Sequence, residues 1–271
     1  MSDQDSSKED LAAPFERPGG AVAVLCLHGL TGTPFVWRPL ADALGDRGYH
    51  VRAPRLVGHG HSPAVLRHTR FLDWLGTARR AFDDLATNHD RVFIVGLSMG
   101  SLAALALAHE RGARVAGVVA MATPLELRPT QQLMLGLARR LPLADALPYA
   151  LKRSGPDVSD PGVAAAMPDY DRTPIAAAAS MLEGQDLVRQ RLARLSAPVL
   201  VQHGRHDHVA PVRNVQLLLD GLRTPHRRGI VYPRSWHILP LDVEHAAVIR
   251  DVLDFIEDPV EFTRRGPQPL A

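Results

Sequence analysis

Short apolar runs recur along most of the chain, separated by longer segments in which apolar residues return at helical spacing. Most runs have no polar face, which is typical of strands buried on both sides of a parallel sheet. We predict strands over residues 21–27, 49–53, 92–95, 115–121, 198–202 and 229–232, with a minor strand at 15–17. We predict helices over residues 34–47, 71–87, 102–108, 187–195, 212–222 and 242–257. This alternation predicts an α/β fold with a doubly wound, mostly parallel sheet.

The alternation of strands and helices breaks between residues 125 and 182. Leu133, Leu137 and Leu141 lie four residues apart and predict one short amphipathic helix. Prolines at positions 142, 148, 156, 161, 168 and 174 then interrupt the segment. Because it is too long for a loop of a compact domain, we predict a helical cap inserted over a site. The predicted organisation is a core formed by residues 15–124 and 183–258, a cap at 125–182, and flexible tails at 1–14 and 259–271.

Composition excludes several classes of protein. The chain has 271 residues, 46% of them hydrophobic, and a formal net charge of only +2, so it can bury a full core and offers no concentrated basic patch for nucleic acid. Cys26 is the only cysteine, which excludes an intramolecular disulfide, and its apolar run favours a buried, inert thiol. The first residues are polar and no run of about 18 apolar residues occurs. We therefore expect a cytoplasmic protein without a membrane span, and leave open whether it is a monomer or a homodimer.

The residues Gly96-Leu97-Ser98-Met99-Gly100 stand between a predicted buried strand and an apolar helix. A serine at the apex of such a turn projects its hydroxyl clear of the sheet, and the close approach of neighbouring backbone favours glycine at Gly96 and Gly100. The bare pattern is weak and also fits an ordinary turn with an inert serine. Its strand–turn–helix context makes Ser98 the candidate nucleophile.

A serine nucleophile needs a base, and the base needs a carboxylate that orients it. Among thirteen histidines, His237 has the best position, in the loop between the last predicted strand and the last helix. Asp207 follows the strand at 198–202 and is the candidate acid, with Glu126 as the alternative. His206 and His208 flank Asp207, but they do not make a closed metal site by themselves, so we expect no metal and no cofactor.

A tetrahedral intermediate also needs N–H donors for its oxyanion. The residue after the nucleophile, Met99, offers one backbone N–H, and Leu30, in the loop after the strand at 21–27, is the candidate for the second. We expect His28 to be a structural residue that is hydrogen-bonded behind this loop. His59 and His61 are expected to order the nearby loop and not to take part in the chemistry.

These motifs resemble those of the small bacterial carboxylesterases and the related monoglyceride lipases and lysophospholipases of the α/β-hydrolase superfamily. The resemblance rests on the segments His28-Gly29-Leu30-Thr31-Gly32, Gly58-His59-Gly60, Gly96-Leu97-Ser98-Met99-Gly100, Gly204-Arg205-His206-Asp207 and Ser235-Trp236-His237, in that order. It implies that Ser98, Asp207 and His237 are the nucleophile, acid and base, that Leu30 and Met99 form the oxyanion hole, and that residues 125–182 are the cap. Ser101 and Trp236 depart from the family pattern, because each stands where glycine is common.

We expect a serine carboxylic-ester hydrolase that acts on a small-molecule ester, either a short- to medium-chain monoester or a monoacylglycerol. The pocket is expected to include Thr31, Trp236, Leu133, Leu137 and Met181, and the apolar cap residues favour a hydrophobic acyl chain. A thioesterase, an acyltransferase or a C–C bond hydrolase could use the same three residues. A binding protein without activity on a hydrolase fold is a further alternative.

Overall fold

Seven strands form one sheet in the part of the chain that the structure, a computed structural model, describes: residues 11–140, 148–151, 155–168 and 170–265. The strand order is β1-β3-β2-β4-β5-β8-β9, and β6 pairs with β7 in a separate two-stranded sheet. In the large sheet only β1 runs antiparallel to its neighbour. The strands are β1 (Phe15–Arg17), β2 (Val22–Leu27), β3 (His50–Ala53), β4 (Arg91–Leu97), β5 (Val115–Met121), β6 (Tyr149–Leu151), β7 (Arg172–Pro174), β8 (Val199–Gly204) and β9 (Arg227–Tyr232).

Helices cover both faces of the large sheet, which explains why its central strands are apolar throughout. Successive residues of β2 point to opposite faces, so Leu25 joins one buried cluster and Cys26 the other. The helices are α1 (Arg38–Asp46), α2 (Pro63–Leu66), α3 (Phe71–Asn88), α4 (Met99–Arg111), α5 (Pro129–Arg140), α6 (Pro161–Ala166), α7 (Ile175–Arg191), α8 (Asn214–Gly221), α9 (His245–Glu257) and α10 (Pro259–Arg264). The predicted α/β fold with a doubly wound, mostly parallel sheet is confirmed.

The C-terminal tail predicted at 259–271 is wrong for its first residues. Pro259–Arg264 forms helix α10, which Asp258 caps by accepting a hydrogen bond from the Glu261 N–H. Phe262 is buried and lies under the guanidinium of Arg228. The single aromatic residue thus docks a segment whose composition alone resembles a tail. Residues 1–10 and 266–271 lie outside the described part of the chain.

The segment predicted as a helical cap contains α5, β6, α6 and β7. The two short strands were not predicted. They are antiparallel, and Tyr149 of β6 pairs with Pro174 of β7. Leu141, which was expected to extend the spacing of Leu133 and Leu137, lies outside the described residues. No helix of the described chain is long and apolar enough to cross a membrane.

Helix α7 begins at Ile175, well before the helix predicted at 187–195, and crosses the predicted cap boundary at residue 182 without a break. It packs on α3, where the Phe71 N–H donates to the Ser180 hydroxyl and Gly184 lies against the Phe71 ring. The early turns of α7 are rich in alanine and mostly buried, so they show no polar face from which a helical period could be read. This is why the sequence pattern missed the start of the helix.

Candidate active site

Ser98 stands at the junction between β4 and α4 in a strained turn. Its φ of 55° lies in the left-handed region that few non-glycine residues adopt. A Cβ at Gly96 would lie 2.4 Å from the Gly100 carbonyl oxygen, and one at Gly100 would lie 2.1 Å from the Leu27 carbonyl oxygen. The two predicted glycine positions are therefore compelled by backbone contact, and the turn presents Ser98 at the carboxyl end of the sheet.

The turn is also held by hydrogen bonds to its own backbone. The Ser98 N–H donates to the Met121 carbonyl at the end of β5, over 2.9 Å. Ser101 is buried, and its hydroxyl donates to the Ser98 carbonyl over 2.5 Å. Ser101, which departs from the family pattern, thus adds one more bond that fixes the strained residue.

Asp207 lies in the loop after β8 and is almost fully buried. One carboxylate oxygen accepts the backbone N–H groups of Val209 and Ala210, at 2.8 and 2.7 Å. The other lies 2.7 Å from His237 Nδ1 and 3.1 Å from His203 Nε2. Burial raises the pKa of Asp207, but the charge of His237 and the hydrogen bonds from His203 and His237 outweigh burial and hold this pKa well below its usual range. Asp207 is therefore ionised and aimed at the His237 ring.

The loops that carry Asp207 and His237 pack backbone against backbone. A Cβ at Gly204 would lie 2.0 Å from the Trp236 carbonyl oxygen, so the first loop needs glycine there. The His206 N–H donates to the Ser235 carbonyl over 3.1 Å. These contacts explain why two residues thirty positions apart in the chain meet within hydrogen-bonding distance.

Gly29 brings the loop after β2 against the nucleophile, since a Cβ on Gly29 would lie 3.3 Å from the Ser98 Cβ. Leu30 and Thr31 follow it, and Thr31 has a positive φ of 61°. Met99, the first residue of α4, is buried beside Ser98. The loop and the helix N-terminus therefore flank the serine on two sides, which is the arrangement that a pair of oxyanion donors requires.

His28 is buried behind this loop, where its Nε2 accepts the Leu56 N–H and its Nδ1 lies 2.9 Å from the Gly29 carbonyl. Burial lowers the pKa of His28 to about 4, so it is neutral near pH 7. The prediction that His28 is hydrogen-bonded behind this loop is confirmed. His59 is also buried and packs edge-on against His28 and Trp74, whereas His61 is exposed and donates its backbone N–H to the Tyr170 hydroxyl.

A cavity of about 500 Å³ opens above Ser98 and His237. Its wall is mostly apolar, and α5 and α7 close it from the cap side. Its lining includes Leu30, Thr31, Leu135, Asp157, Met181 and His208. The predicted pocket positions Thr31 and Met181 thus lie in the wall of this cavity.

Three predicted pocket residues do not line the cavity. Leu133 and Leu137 are exposed on the outer face of α5, while Met134 and Leu135 of the same helix reach the cavity. A spacing of four residues identifies an apolar helix face but not the direction in which that face points. Trp236 is not part of the cavity wall, and its ring packs edge-on against that of His208, with the two ring centroids 4.6 Å apart.

The alternative acid, Glu126, contacts Arg213 and Asn214. Its carboxylate pairs with Arg213 at 3.1 Å, and its backbone exchanges two hydrogen bonds with the Asn214 side chain. Asp157 was not predicted from the sequence. It is a cap residue in the cavity wall that contacts His208. It is a single carboxylate in an irregular, proline-rich segment, so neither a helical period nor a motif marks it in the sequence.

Two curated relatives match along almost the whole chain. A thermostable monoacylglycerol lipase of Bacillus sp. (strain H-257) is 30% identical over 244 residues, which cover 90% of this chain and 94% of the relative. A carboxylesterase of Bacillus subtilis (strain 168) is 28% identical over 249 residues, covering 90% of this chain and 96% of the relative. Both cover the segments that carry the predicted motifs.

Solved structures agree with the fold. The structure reported for the metagenome-derived lipolytic enzymes LipS and LipT superposes with a TM-score of 0.83 at 28% identity, covering 91% of this chain and 97% of that one. A soluble variant of monoglyceride lipase from Saccharomyces cerevisiae gives a TM-score of 0.75, with 91% of each chain covered, but its 17% identity shows the fold alone.

The family model described as serine aminopeptidase, S33 (Hydrolase_4) matches residues 20–244, which include the loops of Ser98, Asp207 and His237. The predicted superfamily is thereby confirmed. This chain belongs to the Hydrolase_4 family of serine hydrolases, with the α/β-hydrolase fold.

Proposed function

We propose that the protein hydrolyses carboxylic esters through an acyl-serine intermediate, with Ser98 as the nucleophile, His237 as the base and Asp207 as the acid. The observation that carries this proposal is the 2.7 Å contact between His237 and Asp207 at the floor of the cavity that Ser98 also lines. A buried, ionised carboxylate holds the imidazole in one orientation and stabilises its protonated form.

The steps follow from these positions. His237 removes the proton of the Ser98 hydroxyl while its oxygen attacks the ester carbonyl, and the negative charge moves to the carbonyl oxygen. The N–H groups of Leu30 and Met99 are the proposed donors to that oxygen. His237 then protonates the alcohol as it leaves. In the second half His237 removes a proton from water while the water oxygen attacks the acyl carbonyl, and it gives that proton to the Ser98 oxygen as the bond to the acyl group breaks and the carboxylic acid leaves. Hydrolysis by this route needs no cofactor.

We propose short- to medium-chain monoesters or monoacylglycerols as the substrates. The cavity of about 500 Å³ is mostly apolar, which suits an acyl chain, and the hydroxyl groups in its wall suit a polar alcohol. The names of the two Bacillus relatives, a monoacylglycerol lipase and a carboxylesterase, support the same substrate class.

Hydrolysis of p-nitrophenyl esters from acetate to palmitate, and of monoacylglycerols of matched length, tests the proposal. We expect a maximum at short or medium chains and a loss of about 10⁴- to 10⁶-fold in kcat for Ser98→Ala. A fluorophosphonate probe should label wild type and Ser101→Ala but not Ser98→Ala, because the Ser101 hydroxyl, in the first turn of α4, is bonded to the Ser98 carbonyl.

Two results would contradict the proposal. Wild-type turnover by Ser98→Ala would exclude this nucleophile. A preference of about tenfold or more for acyl thioesters over esters of the same chain would indicate a thioesterase.

A further inference from the structure

Three consecutive cap residues, Asp157, Val158 and Ser159, lie against the loops that carry the proposed acid and base, and we name them the strap. The strap begins at a backbone contact, in which the Ile238 N–H donates to the Asp157 carbonyl over 3.1 Å. Val158 is buried. Ile238 directly follows His237, so the cap touches the chain at the residue next to the proposed base.

The Asp157 side chain reaches the other loop. One carboxylate oxygen accepts the backbone N–H of His208 over 2.9 Å, and the other lies 2.7 Å from His208 Nδ1. His208 directly follows Asp207. One cap residue thus binds the residue after the proposed acid through its side chain and the residue after the proposed base through its backbone.

Ser159 completes the arrangement through Asp242, which is buried. The Ser159 N–H and hydroxyl both donate to one oxygen of Asp242. The second oxygen accepts the Trp236 N–H over 2.6 Å. Trp236 directly precedes His237, so the strap and Asp242 hold the residues on both sides of the base.

We propose that the strap is a positioning element that fixes the His237 loop, so that the cap sets the alignment of the base as well as the shape of the cavity. The inference rests on the proposed function of His237 and Asp207. Its physical basis is that proton transfer requires hydrogen-bond geometry within a few tenths of an ångström, and a misplacement of about 1 Å lowers the rate by about 100-fold. The strap residues themselves move no proton.

The first test compares Asp157→Ala with Asp160→Ala. Asp160 is the N-cap of α6, where it accepts the N–H groups of Gly162 and Val163, and among the described residues its hydrogen bonds are all to residues of that helix. We expect Asp157→Ala to lower kcat and the rate of fluorophosphonate labelling by about 10- to 100-fold, with KM within about threefold of wild type. Asp160→Ala should leave both rates unchanged.

Two further variants keep the test decisive if Asp157→Ala fails to fold. Asp157→Asn retains an acceptor for the His208 N–H and a group that can pair with the ring, so its kcat should stay within about threefold of wild type. Ser159→Ala, which removes only the hydroxyl bond to Asp242, should lower kcat by about three- to tenfold. The far-downfield proton resonance of the His237–Asp207 hydrogen bond should shift in Asp157→Ala and Ser159→Ala, and stay in place in Asp160→Ala.

The outcomes separate the inference from the proposed function. Suppose that the probe labels Ser98 of wild type and that turnover depends on Ser98. If Asp157→Ala and Ser159→Ala then match Asp160→Ala in kcat and labelling rate, the strap is not a positioning element. A rise in KM at constant kcat in Asp157→Ala would overturn it too, because that result indicates direct contact with substrate. Absence of Ser98-dependent labelling and turnover in wild type would instead overturn the proposed function.

Discussion

The floor of the cavity and its cap are built by opposite rules. On the floor, Ser98, Asp207 and His237 come from loops after β4, β8 and β9, and each is at most 9% exposed. In the cap, helix α5 leaves Leu133 and Met134 65% and 68% exposed. The floor fixes a few polar groups in one geometry, whereas helix α5 of the cap offers exposed apolar surface.

Glycines show the same contrast. A side chain at Gly100 or Gly204 on the floor would collide with backbone, which cannot give way. A side chain at Gly136 in α5 would meet nothing within 4 Å. The difference teaches that sequence change on the floor should affect the chemistry, whereas change in helix α5 of the cap should affect the choice of substrate.

Among variants that keep Ser98, the largest effect is expected on the floor, from Asp207→Asn. The amide cannot stabilise the protonated His237 ring, so kcat for ester hydrolysis should fall by about 10⁴-fold while KM changes little. The matched control is Glu126→Gln, since Glu126 pairs with Arg213 and should leave kcat unchanged. Steady-state kinetics on one p-nitrophenyl ester would measure both. A loss of kcat in Glu126→Gln but not in Asp207→Asn would instead make Glu126 the acid. The contact between Asp207 and His237 would then have no part in the chemistry of the floor.

A second, smaller effect concerns stability in acid. It tests how the floor is packed, because it depends on the buried His28 and not on Ser98, Asp207 or His237. His28 has a pKa of about 4 when buried and 6.5 as a free side chain, so between these values the unfolded chain binds more protons and stability falls as pH falls. From this site alone the free energy of unfolding should be about 2 kcal/mol lower at pH 5 than at pH 7. The lowered pKa of Asp207 adds no change in this window, because that group is ionised in both states well above its unfolded value of 3.8.

Urea unfolding at pH 5, 6 and 7 measures the acid effect. His28→Asn should be less stable than wild type at pH 7, because the buried hydrogen bond from Leu56 is weakened. Its stability should nevertheless change less between pH 7 and pH 5. An equal pH dependence in both proteins would show that His28 is not the group responsible.

The smallest effect is expected in the cap, where two leucines of α5 make a matched pair. Leu135 lines the cavity, whereas Leu133 lies outside it. Leu135→Ala should enlarge the acyl site and change the ratio of kcat/KM between a long and a short ester by about tenfold in favour of the long one. Leu133→Ala should leave the ratio unchanged. Equal ratios for both variants would mean that the cap does not select the acyl chain.

Sequence patterns located the floor far better than the cap. The central strands of the large sheet are short apolar runs. Parallel strands bring their carboxyl ends to one edge, so the loops of Ser98, Asp207 and His237 were expected to meet. The contacts of Ser98 with Gly29 and of Asp207 with His237 follow that expectation. Local pattern and global fold agree at these positions.

The details of the cap were not predicted, because its structure depends on contacts that leave no periodic pattern in the sequence. The spacing of Leu133 and Leu137 predicted an amphipathic helix, but only packing decides that Leu135 faces the cavity. The strap is an irregular segment held by Asp242 and by backbone groups of the two loops. Side-chain-to-backbone bonds of this kind are specified by the folded partner, not by neighbours in the chain.

Helix α7 determines where a chimera of this protein and a relative should be joined. Its early turns carry Met181 into the cavity wall, and its next turn packs Gly184 on Phe71 in the core. A chimera joined at residue 182 would divide these two tasks between parents, whereas one joined at Pro174, before the helix begins, would leave them together. Recombination would then transfer residues 125–174 as one unit. Met181, on α7 of the recipient, would still line the cavity and help to decide which substrates fit.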